Sequence, residues 1–376
     1  MKSRVGHIVL YPLYVVKTLL RGAKMYVRTL FLGILLLIAN LFSSSLQPVE
    51  ASLISTSQEV SMGADVAKKL EKQYGLVEDA YLQARVDRIG QSIVAVCDRQ
   101  NIKYSFKVLN TKEINALAVP GGYIYLFKGL VDLMQTDDEL AAVLAHEVTH
   151  VVKRHSVNQI EKQLAMTLVF AVAFGDKAML LQNLTQQALM SGYSRSDERQ
   201  ADEFGFIYAR KAGYNPYGMF VTMGKLNDLA GESKGNYGLF SSHPEPEARV
   251  KAIEKYIQKL NIKQTIQTTD KSTYSVVDGN WRFNVSKKVA ADKTVYRASL
   301  LAGALYLVTL KDAVVDKNKF IVANYGSYNE IYYDDILLYR VFAQDLDQNF
   351  TDIHSLTNAY ILMFRDWAEA HNNSKV

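Results

Sequence analysis

The stretch "LAHEVTHVVKRH", residues 144–155, constrains the chain more than any other, because it sets an ionisable side chain inside a helical apolar stripe. At about 100° per residue, Leu140, Leu144, Val148 and Val151 gather on one side of a helix, with Val143 at the edge. Thr136 and Glu139 form a capping box that opens this helix. His146 and His150 fall side by side on the flank of the stripe, and Glu147 falls inside it. A carboxylate aimed into an apolar layer is costly unless it is paired or has a task. The His-Glu-x-x-His spacing offers one. Two imidazoles one turn apart can hold one Zn²⁺, and the glutamate between them can take a proton from water activated there. The alternative is a pair of core-edge histidines bonded to backbone carbonyls.

A third ligand decides between the two. Five residues past His150, His155 lies about 140° round the same helix, so it is expected in a solvated or structural role with Lys153 and Arg154. The better candidate is in "YSRSDERQADEFG", residues 193–205. There Glu198 and Asp202 stand one turn apart on a face shared with Ala201, Gly205, Tyr208, Ala209 and Ala212, where another helix can approach closely. Arg199, Glu203 and Arg210 point the other way. Glu198 can complete a two-His, one-Glu zinc site, and Asp202 can orient a ligand histidine from behind. Taken alone, such an acidic pair also fits a solvated helix edge.

With 376 residues, 49% of them hydrophobic, the chain is long enough for two domains and a sizeable core. Its net charge of +5 carries no message about nucleic acid, and no nucleic-acid partner is expected. Residues 1–51 hold Lys2, Arg4, Lys17, Arg21, Lys24 and Arg28 against Glu50 alone, which leaves 37 basic and 37 acidic residues in the rest. That leader, with an apolar run from Leu30 to Leu46 and the small residues Val49 and Ala51 before Ser52, reads as an export signal over 1–51. Met25 also begins an ordinary signal sequence, so either methionine can be the start. An uncleaved membrane anchor is the alternative, since about 17 apolar residues only just span a bilayer. Cys97 is the one cysteine, so there is neither a disulfide framework nor a lipid-bearing thiol at the cleavage site. The later apolar run "LAMTLVFAVAF" is too short to cross a membrane. The expectation is an exported protein, periplasmic or extracellular, with no stable membrane insertion after cleavage.

Along the rest of the chain, Thr56 and Glu59 cap a helix that runs to Gly75, and a second helix spans about 79–98. "YSFKVLN" reads as a strand, and Pro120-Gly121-Gly122 separates two extended runs, the second from Tyr123 to Phe127. Residues 162–192 are helical in tendency. Further helices run from near Arg195 to Gly213 and from "HPEPEAR" to near Leu260. The polar, aperiodic residues 261–273 mark a boundary between a domain of 52–262 and one of 263–376. In the latter, "DGNW" turns between the strands "TYSVV" and "RFNVS", and a helix closes the chain from Ser355 to Ala370. "YRASLLAGALYLVTL" fits a buried helix or a strand equally well.

His146-Glu147-x-x-His150 with "VVKRHS", "SRSDERQADEFG" and "SSHPEPEAR" together resemble the zinc metallopeptidases grouped with HtpX and the CAAX prenyl protease. "EVSMGADVAKKLEKQYG" and "NALAVPGGYIYLFKGL" are similar too, and the likeness runs from about 57 to 260 in the family's order. The leader, and the lack of transmembrane segments beside the motif, resemble the family's soluble periplasmic branch. The resemblance implies an α+β fold: a mainly helical zincin-type metallopeptidase domain with a small β-sheet, followed here by a smaller α+β C-terminal domain that the likeness does not cover. It implies one Zn²⁺ held by His146, His150 and Glu198, with Glu147 as general base and Asp202 behind a ligand histidine. His243 is implied as a residue at the metal site, either stabilising the oxyanion or occupying the water position at rest. Asn115 and Ala116 are implied as the substrate-binding edge strand, and Arg249 as an anchor for the His243 segment. The expected function is zinc-dependent hydrolysis of peptide bonds in unfolded or misfolded envelope proteins. The alternative is a metal-bound holdase or scaffold with little proteolysis. Oligomeric state is left open.

Overall fold

The computed structural model describes residues 52–168, 192–232, 243, 246–268, 270 and 272–374. The leader and most of the 162–192 segment lie outside the described residues. From Ile54 onward the described chain forms one compact body with an α+β architecture.

Helix α1 spans Thr56–Tyr74, and α2 spans Ala80–Val94. The cap of α1 is one residue earlier than the sequence implies: Ser55 and Gln58 make the capping box. This leaves Glu59 free to turn inward, where it is buried. Strands β1 (Ser105–Leu109), β2 (Ala116–Val119) and β3 (Tyr123–Phe127) form a small sheet in the order β1-β3-β2. β1 runs parallel to β3 and β2 antiparallel, so β2 is an edge strand. Gly121 (φ 81°) and Gly122 (φ 96°) supply the left-handed backbone that the β2–β3 turn needs. A short helix, α3 (Lys128–Leu133), follows.

Helix α4, Asp137–Val152, is the axis of this region. Its capping box is Thr136 with Glu139, and every residue from Glu139 to Val151 is buried. The apolar stripe read from the sequence is therefore only one side of a helix enclosed all round, packed against α2, β2, α6 (Arg195–Lys211) and α7 (Gly218–Glu232). α4 also ends sooner than a continuous wheel implies. Lys153 closes it, Arg154 takes φ 56°, and a new helix, α5 (His155–Leu168), begins. Helix α8 runs over Pro246–Gln258.

Beyond it lie two antiparallel three-stranded meanders, β4-β5-β6 and β7-β8-β9. β4 (Thr265–Thr268), β5 (Tyr274–Asp278) and β6 (Trp281–Val285) precede helix α9, Thr294–Lys311, which settles the segment that sequence left open between helix and strand. β7 (Phe320–Asn324), β8 (Tyr328–Tyr333) and β9 (Ile336–Phe342) follow, and α10 (Ile353–Asn373) closes the chain. Phe283, Phe364 and Trp367 centre a second hydrophobic core here, separate from the one around α4. Lys225 of α7, fully buried, is ion-paired with both Glu139 at the start of α4 and Asp292 before α9. Asn215 Nδ2 donates to the Leu300 carbonyl (2.7 Å) and Arg340 to that of Gln135 (2.6 Å).

Candidate metal centre

α4 and α6 cross with small residues between them. An added Cβ on Gly205 would lie 3.1 Å from the His146 backbone nitrogen, so glycine lets α6 lie against α4. One and two turns before Gly205, Asp202 and Glu198 then face the two histidines. His146 Nε2 and His150 Nε2 stand 3.0 Å apart, and Glu198 oxygens lie 3.5 Å from the first and 3.4 Å from the second. His243 joins them, with Nδ1 2.9 Å from Glu198 Oε1 and 3.2 Å from His146 Nε2. One donor atom from each of these four buried residues lies within 4.8 Å of all the others.

This set fits a zinc ion on two counts. Ligand atoms held at zinc's usual bond lengths of ~2.0–2.1 Å in a tetrahedron stand about 3.3 Å apart, close to the observed spacings. Charge agrees as well. Glu147, Glu198 and Asp202 are all buried carboxylates with Arg249 as the one buried guanidinium among them, and a dication balances the remaining negative charge. Without that balance Glu147 suffers: burial pushes its carboxyl above the ordinary value, and its Oε2 has no hydrogen-bond partner. Burial would likewise raise Glu198, but His243, Arg249 and His146 outweigh it and hold the carboxyl well below the usual range.

Behind the cluster, Asp202 Oδ1 lies 3.1 Å from His146 Nδ1, where it can accept that ring's proton. Arg249 grips Asp202 with Nε and Nη2 (2.8 and 2.7 Å) and reaches Glu198 Oε2 with Nη1 (2.8 Å). Asp202 is thereby held down at about 2, its burial overridden by the guanidinium. Arg249, read from the sequence as an anchor for the His243 segment, contacts the two carboxylates directly.

Of the two roles expected for His155, the solvated one needs correction: the side chain is buried, with Nδ1 2.9 Å from His150 Nδ1. The left-handed Arg154 breaks the helix and swings the side chain back, which no continuous wheel can anticipate. Arg154 is held there by Glu59, 2.9 Å from its Nε, and by the Ile54 carbonyl. Sequence reasoning also missed Tyr193. Its ring stacks on His150 (centroids 3.7 Å apart), and its hydroxyl meets Ser156 and the Ala118 carbonyl. Its place at the head of the Glu198 motif was the available signal.

Of the two edge-strand residues, Ala116 lines a small cavity beside the cluster. Val143, Met219, Thr222, Met223 and Leu226 give the cavity its apolar wall, and His146 and Glu147 border it. Asn115 stands just before β2. Its side-chain oxygen accepts from the Ala116 N–H and its carbonyl from the Phe127 N–H.

Buried helix, edge strand and convergent His/Glu donors define a zinc metallopeptidase domain. Residues 80–257 match Peptidase family M48, and the chain carries a domain of that family. It is 30% identical to the putative beta-barrel assembly-enhancing protease of Vibrio cholerae over 215 residues, 54% of this chain and 44% of that protein. It is 27% identical to the mitochondrial metalloendopeptidase OMA1 of Schizosaccharomyces pombe over 58% of this chain and 66% of the relative. Likeness to the metalloprotease LoiP of Escherichia coli, 27% identical, covers 60% of this chain and 90% of LoiP. The chain thus spans under half the length of the first relative. Among the described residues no helix is long and apolar enough to cross a membrane.

Proposed function

We propose that the protein is a zinc-dependent endopeptidase that hydrolyses unfolded or misfolded proteins of the cell envelope and holds one zinc ion per chain. The observation that carries this reading is the buried convergence of His146 Nε2, His150 Nε2 and the Glu198 carboxylate beside an unpartnered Glu147 oxygen. These three residues would hold the ion, which supplies Lewis acidity toward water and toward a scissile carbonyl. Glu147, on the helix between the two histidines, takes a proton from the attacking water and returns it to the leaving nitrogen. Asp202 fixes the His146 ring, and Arg249 fixes Asp202. With Nδ1 among the donors, His243 stands where a water would sit; we assign this arrangement to the resting state, which substrate or water must displace.

An extended peptide lies along the β2 edge at Asn115 and Ala116, and an apolar side chain next to the scissile bond enters the cavity walled by Val143 and Met223. Envelope location follows from the leader, which directs export. Residues 52–262 serve as the catalytic domain, and 263–376, with their own core, as a second domain.

Purified protein tests the reading. Elemental analysis should find one zinc per chain, and unfolded casein should be cut, with Glu147→Gln slower by about 10²–10⁴-fold. Equal rates for wild type and variant, or no bound zinc, would overturn it.

A further inference from the structure

The two ring nitrogens of His150 face different worlds. Nε2 lies among the donor atoms, 3.0 Å from His146 Nε2, and must keep a free lone pair to bind an ion. Nδ1 then carries the proton, and the atom it meets is not a carboxylate or a carbonyl but His155 Nδ1, 2.9 Å away. For that contact to be a hydrogen bond, His155 Nδ1 must accept, which places the His155 proton on Nε2. His155 Nε2 lies 2.8 Å from Gln200 Oε1, an acceptor. Every donor in the row therefore has an acceptor in one tautomeric arrangement only: His150 Nδ1–H to His155, and His155 Nε2–H to Gln200.

We propose that His155 is the positioning residue for the His150 ligand, fixing its tautomer and ring plane, and that Gln200 in turn fixes His155. This rests on the zinc-site reading above. The two ligand histidines are then supported unequally: His146 backs onto the Asp202 carboxylate, His150 onto a neutral imidazole. Helix α6, which carries Glu198, also supplies Asp202 behind His146 and Gln200 at the far end of the row. The kink at Arg154 is what aims His155, and its left-handed backbone is a strained conformation for a side-chain-bearing residue held by the Glu59 ion pair. The two ends of the row have different exposure: His155 is buried and Gln200 is at the surface. A variant at Gln200 therefore perturbs the row without opening a core.

The test is zinc affinity measured by chelator competition on the full chain, alongside the thermal stability of the metal-free protein. His155→Leu, which offers no acceptor, should weaken zinc binding by about 10- to 100-fold. His155→Gln, whose amide oxygen can accept from His150, should recover most of the loss, and Gln200→Leu should show a smaller loss in the same direction while Gln200→Glu does not. A merely structural histidine would give equal losses for Leu and Gln that track metal-free stability, and that result overturns the proposal. Should His155→Leu fail to fold, an unchanged zinc affinity in Gln200→Leu overturns it instead. Wild type that binds one zinc while all variants match it removes the positioning role alone; wild type that binds none removes the zinc reading itself.

Discussion

Gly205 on α6 packs directly on the backbone of His146 on α4, and the metal centre depends on that approach. A Cβ at Gly205 would meet the His146 nitrogen and the Met219 methyl at 3.1 Å and Ala145 at 3.2 Å, with backbone on two of the three sides. A Cβ there asks the two helices to give by a few tenths of an ångström, and a longer side chain asks for more, on the helix that carries Glu198. Gly205→Leu should therefore destabilise the fold by about 1–3 kcal/mol in denaturant titration and also weaken zinc binding. A variant that loses stability but keeps full zinc affinity would show that the crossing does not set the Glu198 position.

Glu147 gives a stability prediction with a definite sign. In the metal-free protein burial raises its pKa above the ordinary 4.5. The unfolded chain releases this proton at lower pH than the folded one, so the carboxyl costs stability as pH rises above that value. Glu147→Gln should leave the metal-free protein as stable as wild type or more stable at pH 7, and the difference should vanish near pH 4. Thermal melts across that range check it.

The Asp202–Arg249 pair runs the other way. Asp202 titrates at about 2 against an ordinary 3.8, because the guanidinium overrides its burial. Its contribution, roughly 2 kcal/mol, is present above pH 3.8 and is lost as pH falls through about 2. Asp202→Asn should be destabilised by that order at pH 6, converging on wild type at the acid end, and should bind zinc about 10- to 100-fold more weakly because His146 loses its acceptor.

Substrate preference follows from the cavity beside Glu147. Peptides with leucine or methionine next to the scissile bond should be cut with higher kcat/KM than peptides with aspartate there. Val143→Phe, which narrows the apolar wall, should reduce kcat/KM for the large side chains by about 10-fold or more while sparing alanine. No change in preference would mean that the cavity does not receive the substrate.

Lys225 lies among two buried carboxylates, Glu139 and Asp292. Lys225→Met strands both, and equilibrium denaturation should register a loss of about 3–5 kcal/mol.

Much of the site is legible in local pattern. The spacing of His146, Glu147 and His150, the capping box at Thr136 and Glu139, and the small-residue face around Glu198 all follow from helical periodicity, which is a property of neighbouring residues. The same logic failed at His155. A single positive φ at Arg154, stabilised by Glu59 almost a hundred positions earlier, redirects everything after it. Helix α9 was ambiguous for a related reason: its middle, from Ala298 to Leu305, is buried at every residue but Leu300, so periodicity carries little signal there.

The sequence by itself determined which groups are available: two imidazoles one turn apart, a carboxylate forced into an apolar layer, and a second carboxylate pair on a face of small residues. Tertiary structure alone decided how they meet. Gly205 sets the distance between α4 and α6, Arg249 joins Glu198 to Asp202, and the kink at Arg154 turns His155 from the outside of a helix to the back of His150. Donor identity is encoded residue by residue, whereas the few ångströms between donors are set by packing between segments distant in the chain.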